Sequence, residues 1–96
     1  MYGTVARMQM KPGAEAELMR LSREDIEIVP GVTFCYVYRT DADPNVAYLA
    51  VGFDSKAAYL ANAESPEQHE RFLRMRSLMT ADPEWHDGEI VFAFPD

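Results

Sequence analysis

The chain is poor in the residues that usually announce chemistry. A single cysteine, Cys35, excludes an intrachain disulfide, and its place in an apolar strand reads as an inert buried thiol in a reducing compartment. Only two histidines are present, His69 and His86, and neither has a cysteine or carboxylate at metal-ligand spacing. The group Glu64, Glu67, His69 and Glu70 reads as solvated charge on a helix, so no metal is expected, and no other cofactor either. Cations are few. Nine Lys and Arg against 16 Asp and Glu give a net charge of −7, which excludes the basic footprint that nucleic acid or an anionic membrane requires. No apolar run approaches the roughly 18 residues of a membrane span. Met1-Tyr-Gly-Thr-Val-Ala-Arg7 lacks the charged-then-apolar layout of a signal peptide, so a cytoplasmic location is expected. There is no Gly-rich phosphate loop, no Ser-His-Asp order, no Cys-His pairing, no repeat and no low-complexity tract.

What is present is ordinary globular material, 48% apolar and 26% charged over 96 residues, read as one domain spanning 1–96. Residues 2–10 alternate in the two-residue period of a strand. Pro12 suits a helix start, and Ala14, Leu18, Leu21, Asp25 and Ile28 recur at helical spacing, predicting a helix over 13–27. Pro30-Gly31 stops it. Residues 32–39, β-branched and aromatic throughout, form the strongest strand signal. The turn residues Asp41 to Asn45 join it to a second strand over 46–53, predicting an antiparallel hairpin.

Asp54-Ser55 caps a short helix over 56–63. Ser65-Pro66-Glu67-Gln68 opens another, with Ser at the cap, Pro at the first helical position and Gln three residues on from the cap. Phe72, Leu73, Met75, Leu78 and Met79 give that helix a broad apolar side. Glu67–Arg71 and Glu70–Arg74 are expected as ion pairs four residues apart on its wet side. After Ala81-Asp82-Pro83, the stretch Trp85-His86-Asp87-Gly88 leads into a final strand predicted over 89–94.

The order strand, helix, strand, strand, helix, strand is the split βαβ pattern of a ferredoxin-like α+β fold, with a four-stranded antiparallel sheet. Its strands are apolar on both faces, and the helices cover only one. The expectation is a homodimer, sheet packed against sheet, with the helices outside.

Six residues are candidates for a site. His69 sits at the boundary of its helix's apolar side, as a general base facing a pocket or as a surface histidine bonded to a neighbour. Tyr59 and Asn62, three apart on the short helix, share one side of it; packing and helix capping are their structural alternatives. Trp85 and His86 can wall a pocket for a flat ligand or simply finish a strand end. Arg7, on a strand expected to be buried on both faces, needs a partner: a carboxylate across the dimer or an anionic ligand.

Several stretches resemble the dimeric α+β barrels of the antibiotic-biosynthesis-monooxygenase-like (ABM-like) family. Val29-Pro-Gly-Val32 leading into an aromatic strand is similar to the family's exit from its first helix. Gly52-Phe-Asp-Ser-Lys-Ala-Ala-Tyr59 is similar to its strand-to-helix step, and Ser65-Pro66 followed by His69 and Phe72 to the start of its second helix. The tail Pro83 to Val91 resembles a subgroup of small actinobacterial proteins without an assigned activity. The resemblance implies a cofactor-independent monooxygenase or isomerase acting on a small apolar or aromatic ligand, with His69 as base and Asn62 or Tyr59 stabilising an enolate. The alternative is a non-catalytic binding or accessory dimer. Haem degradation is disfavoured, because the first strand offers Gln9 where the family's haem degraders use Asn, the short helix has no Trp, and His69 lies early in its helix.

Overall fold

A computed structural model describes residues 1–95. The chain runs β1 (Tyr2–Gln9), α1 (Glu15–Ile26), β2 (Val32–Arg39), β3 (Val46–Phe53), α2 (Lys56–Ala63), α3 (Pro66–Arg76) and β4 (Glu84–Glu89). The strands form one antiparallel sheet in the order β2-β3-β1-β4, the ferredoxin-like arrangement expected from the element order. Among the described residues no helix is long and apolar enough to cross a membrane.

The register decides which side chains meet. Thr4 pairs with Val51, Ala6 with Leu49 and Met8 with Ala47 across β1 and β3. On the far side of β1, Thr4 pairs with Asp87 and Ala6 with Trp85; on the far side of β3, Val51 pairs with Cys35 and Leu49 with Val37. Strand alternation puts all of these on the face that carries the helices. Along β1, Thr4, Ala6 and Met8 are buried, and Val5 between them is exposed.

The densest packing lies at one end of that inner face. Met8, Met10, Leu18, Ala47 and Met79 form a buried cluster, flanked by Met19, Val37, Leu49, Met75 and Leu78. The chain beyond α3 locks this end in place. Met79 bridges to Met10, Thr80 N–H donates to the Gln9 carbonyl at 2.9 Å, and Lys11 N–H to the Leu78 carbonyl at 2.8 Å. Toward Thr4, about 13 Å along β1 from Met8 at strand rise, the space between the helices and the sheet is not filled.

The last strand departs from the sequence expectation. It occupies Glu84–Glu89, and Ile90 to Phe94 lie outside it. The reason is the partner, not propensity. Trp85 to Gly88, read as a lead-in, lies opposite Ala6 to Gly3, and Glu89 lies opposite Tyr2. The ladder closes with Ile90 N–H donating to the Met1 carbonyl at 2.9 Å, and there β1 runs out. Val91, Phe92 and Phe94 have strand-forming side chains but no strand beside them among the described residues, and they are 89%, 82% and 89% exposed.

The outer face of the sheet carries Val5, Arg7, Phe34, Tyr36, Tyr38, Tyr48 and His86 by the same alternation. Phe34 lies over Gly52, where any side chain would collide with its ring. Phe34 stacks on Tyr36 and Tyr38 on Tyr48, each pair at 5.5 Å between centroids. Among the described residues no helix covers this face, and Val5, Tyr36 and Tyr38 are exposed in the single chain.

Candidate active site

The unfilled end of the inner face is a cavity of about 490 Å³ between the sheet, the C-terminal half of α1, α2 and α3. Ile26, Val29, Val51, Phe53, Phe72 and Met75 give it apolar walls. Tyr59, Asn62, His69 and Trp85, four of the six candidates from the sequence, line it together.

The junction of the two short helices builds its polar side. Ser55 caps α2, its Oγ accepting from Ala58 N–H at 3.1 Å. Ser65 serves both helices. Its hydroxyl accepts from Gln68 N–H at 3.1 Å, the expected N-cap, and donates to the Asn62 carbonyl at 2.8 Å. This fold-back brings residues 62 and 68 side by side. Asn62 Nδ2 donates to Gln68 Oε1 at 3.2 Å, so the Gln68 side chain is turned to Asn62 instead of closing a capping box. Asn62 is not the cap of α2 either; that position is Glu64.

Arg71 completes the network. Its Nη2 donates to Asn62 Oδ1 at 3.0 Å and its Nε to Gln68 Oε1 at 3.2 Å. The guanidinium has no acceptor role, so it fixes the Asn62 amide with oxygen toward Arg71 and leaves one amide N–H uncommitted. The expected Glu67–Arg71 and Glu70–Arg74 pairs are not formed. Arg71 turns into the cavity, and Arg74 reaches Asp25 on α1 at 3.5 Å, because contacts between helices displace weak exposed pairs along one helix. Sequence reading treated Arg71 as solvated. The signal that finds it is spacing: Gln68, Arg71 and Met75 follow at i, i+3 and i+7, one stripe of α3.

Tyr59 anchors the other side. Its hydroxyl donates to Asp87 Oδ1 at 2.8 Å, and its ring packs edge-on against Phe53 at 5.4 Å and tilted on Tyr2 at 5.2 Å. Burial, then the hydrogen bond to Asp87 and its negative charge, push the phenol well above its ordinary range. Tyr59 is therefore a protonated hydroxyl at neutral pH and not a base. Thr4 lies in the same wall, 5% exposed, with its Oγ1 buried and lacking a partner of good geometry. Cys35 also faces the cavity, and burial raises its thiol pKa, which disfavours the reactive thiolate.

The remaining candidates lie elsewhere. Arg7 and His86 were expected at the pocket, but each is one residue out of phase with an inward-facing neighbour and lies on the outer face. Arg7 pairs with Glu84 of its own chain at 3.4 Å, a partner expected across a dimer. Trp85 faces inward, its ring 6.3 Å from that of Phe72. His69 is an exposed residue of the cavity lining. Asp87, read as part of a lead-in to the strand, is a wall residue that the sequence reading missed.

Comparison with known proteins agrees with this fold. The chain resembles the cofactor-independent oxygenase SnoaB of Streptomyces nogalater, solved as an asparagine-to-alanine mutant, with a TM-score of 0.81, 17% identity, and 99% of this chain and 97% of that one covered. A provisionally named antibiotic biosynthesis monooxygenase from Chloroflexus aurantiacus gives a TM-score of 0.79 at 24% identity, covering 96% of this chain and 94% of that one. A conserved protein from Methanosarcina mazei gives 0.76 at 19% identity, covering 91% and 89%. No curated protein matches the sequence. The family model described as antibiotic biosynthesis monooxygenase (ABM) matches residues 1–74, which include every cavity residue named above except Met75, Trp85 and Asp87. The chain belongs to the antibiotic biosynthesis monooxygenase family.

Proposed function

We propose that the cavity takes a flat, largely apolar aromatic with an acidic C–H, and that the protein oxygenates it with dioxygen and no cofactor. The observation that carries this reading is the meeting of Tyr59, Asn62, His69 and Trp85 in one apolar-walled cavity. About 490 Å³ suits a small aromatic ligand. The named activity of the Streptomyces protein supports the reaction class, at the level of fold alone.

In this mechanism His69 removes one proton from a ring methylene, and the charge spreads onto a conjugated oxygen. The uncommitted N–H of Asn62, aimed by Arg71 and Gln68, hydrogen-bonds that oxygen. Electron transfer to dioxygen and recombination form a C–O bond, and His69 returns its proton to give a hydroperoxide. The O–O bond then breaks, and the second methylene hydrogen leaves as a proton with the departing hydroxide. The balance is one methylene and one dioxygen in, one ring carbonyl and one water out. The Tyr59 hydroxyl, already donating to Asp87, accepts from the ligand in place of donating to it.

The functional unit of this proposal is a homodimer in a reducing cytoplasm, with the outer faces of two sheets packed together. Exposed Tyr36, Tyr38 and Val5 on the outer face, and exposed Val91, Phe92 and Phe94 after β4, support that arrangement. Kinship to the small actinobacterial subgroup rests on the Pro83–Val91 stretch.

A second reading, binding without turnover, draws on His69 itself. It is exposed, and among the described residues no side chain hydrogen-bonds its ring to orient it, as a committed base would require. Dioxygen uptake with a panel of anthrones separates the two. Uptake by the wild type that falls at least a hundredfold in His69→Ala supports the oxygenase; saturable binding with no uptake supports the binding protein.

A further inference from the structure

Arg71 is unusual among the cations of this chain. Arg7, Arg20, Arg39, Arg74 and Arg76 each pair with a carboxylate. Arg23 is exposed. Arg71 is half-buried, lines the cavity, and has no carboxylate within ion-pairing distance among the described residues. Its two hydrogen bonds go to neutral amides, Asn62 and Gln68, and Nη1 has no partner among the described residues. In a chain with 16 acidic residues, a half-buried guanidinium left without one is an arrangement to be explained.

The two carboxylates in the same lining are engaged elsewhere. Asp25 accepts from Arg74, and Asp87 accepts from Tyr59. Neither is hydrogen-bonded to Arg71. The Arg71 charge therefore faces the cavity without a carboxylate of its own, and its orientation is held by two bonds that leave part of the fork free. A planar guanidinium fork matches a carboxylate in shape and charge.

Resting on the aromatic-pocket reading above, we infer that the substrate is an aromatic acid whose carboxylate is bound by Arg71. Arg71 then acts as a specificity residue. It holds the ring by its anionic substituent, leaving the Asn62 N–H for the oxygen that gains charge during reaction. The apolar residues Phe72, Met75 and Trp85 pack on the ring.

Calorimetric titration of 2-naphthoate and 2-naphthamide at pH 7 tests this on a pair of the same shape in which only the first carries the charged carboxylate. The wild type is expected to bind the carboxylate at least tenfold more tightly than the amide. Arg71→Gln should bring that ratio close to one, and Arg71→Lys should retain part of the preference. Equal or weaker binding of the carboxylate by the wild type overturns the inference while the aromatic pocket stands, as does an unchanged ratio in Arg71→Gln. If neither compound binds, the pocket reading and the inference fall together. The wild-type comparison holds whether or not the variants fold.

Discussion

Tyr59 and Asp87, 28 residues apart in sequence, are joined by a 2.8 Å hydrogen bond from the phenol to the carboxylate. The bond ties helix α2 to the edge strand β4 and closes one wall of the cavity. It also fixes a protonation state. Because the phenol's pKa is raised on folding, its contribution to stability is complete below about pH 10, the ordinary tyrosine range, and is lost as pH rises toward the higher folded value. The wild type should retain one unionised phenol above the ordinary range in an ultraviolet absorbance titration of tyrosinate, and Tyr59→Phe should lack it. A titration identical in the two proteins contradicts the assignment.

Ser65→Ala removes an N-cap and the hydroxyl's bond to the Asn62 carbonyl together. A loss of about 1 kcal/mol in urea unfolding is expected from the cap alone. Ligand affinity should fall as well, because the junction that positions Asn62 against Arg71 loosens. Loss of stability with unchanged affinity for an aromatic ligand would place Asn62 outside the site.

Gly31 has φ of 84°, and a methyl group there would sit 2.9 Å from Ala58 Cβ. Gly31→Ala therefore combines backbone strain with a clash, for a cost of about 1–3 kcal/mol. Ala58→Gly removes only the clash. A double-mutant cycle should show Gly31→Ala less damaging in the Ala58→Gly background, with a residual cost from the positive φ. Strict additivity would mean that the two residues do not touch.

Much of the fold could be read from the chain because local signals agreed with one another. The Ser55 and Ser65 caps, the Pro30-Gly31 stop and the alternation in β1 each match the observed element within a residue or two. The last strand was misplaced because Glu89 to Phe94 has the stronger β propensity, whereas pairing is set by where β1 has free backbone. Arg7 and His86 show the same limit. In a strand one residue of phase decides the face, and the composition of both faces here is apolar enough to hide it. Arg71 pairs by helical spacing with Glu67, one turn away; of the two amides that hold it, Gln68 lies three residues back on the same helix, and Asn62 comes from α2, which spacing along one helix does not reveal.

The exposed tail predicts its own cover. Phe92→Ser with Phe94→Ser should weaken self-association measured by sedimentation at micromolar concentration and leave the single-chain circular dichroism largely unchanged, since neither side chain touches the buried cluster. At about 25 cal/mol per Å² of apolar area, the two rings supply a large share of a standard interface. A wild type that sediments as a monomer contradicts the dimer outright.

Trp85 is the only tryptophan and lies in the cavity wall, so its emission reports directly on what the cavity holds. Titration with an anthrone under nitrogen, which blocks turnover, tests the aromatic site most directly. Saturable quenching at one ligand per chain is expected, lost when Val51→Phe fills the cavity from the sheet side. Quenching that does not saturate, or that survives Val51→Phe in a folded protein, contradicts an aromatic ligand held among Tyr59, Asn62, His69 and Trp85.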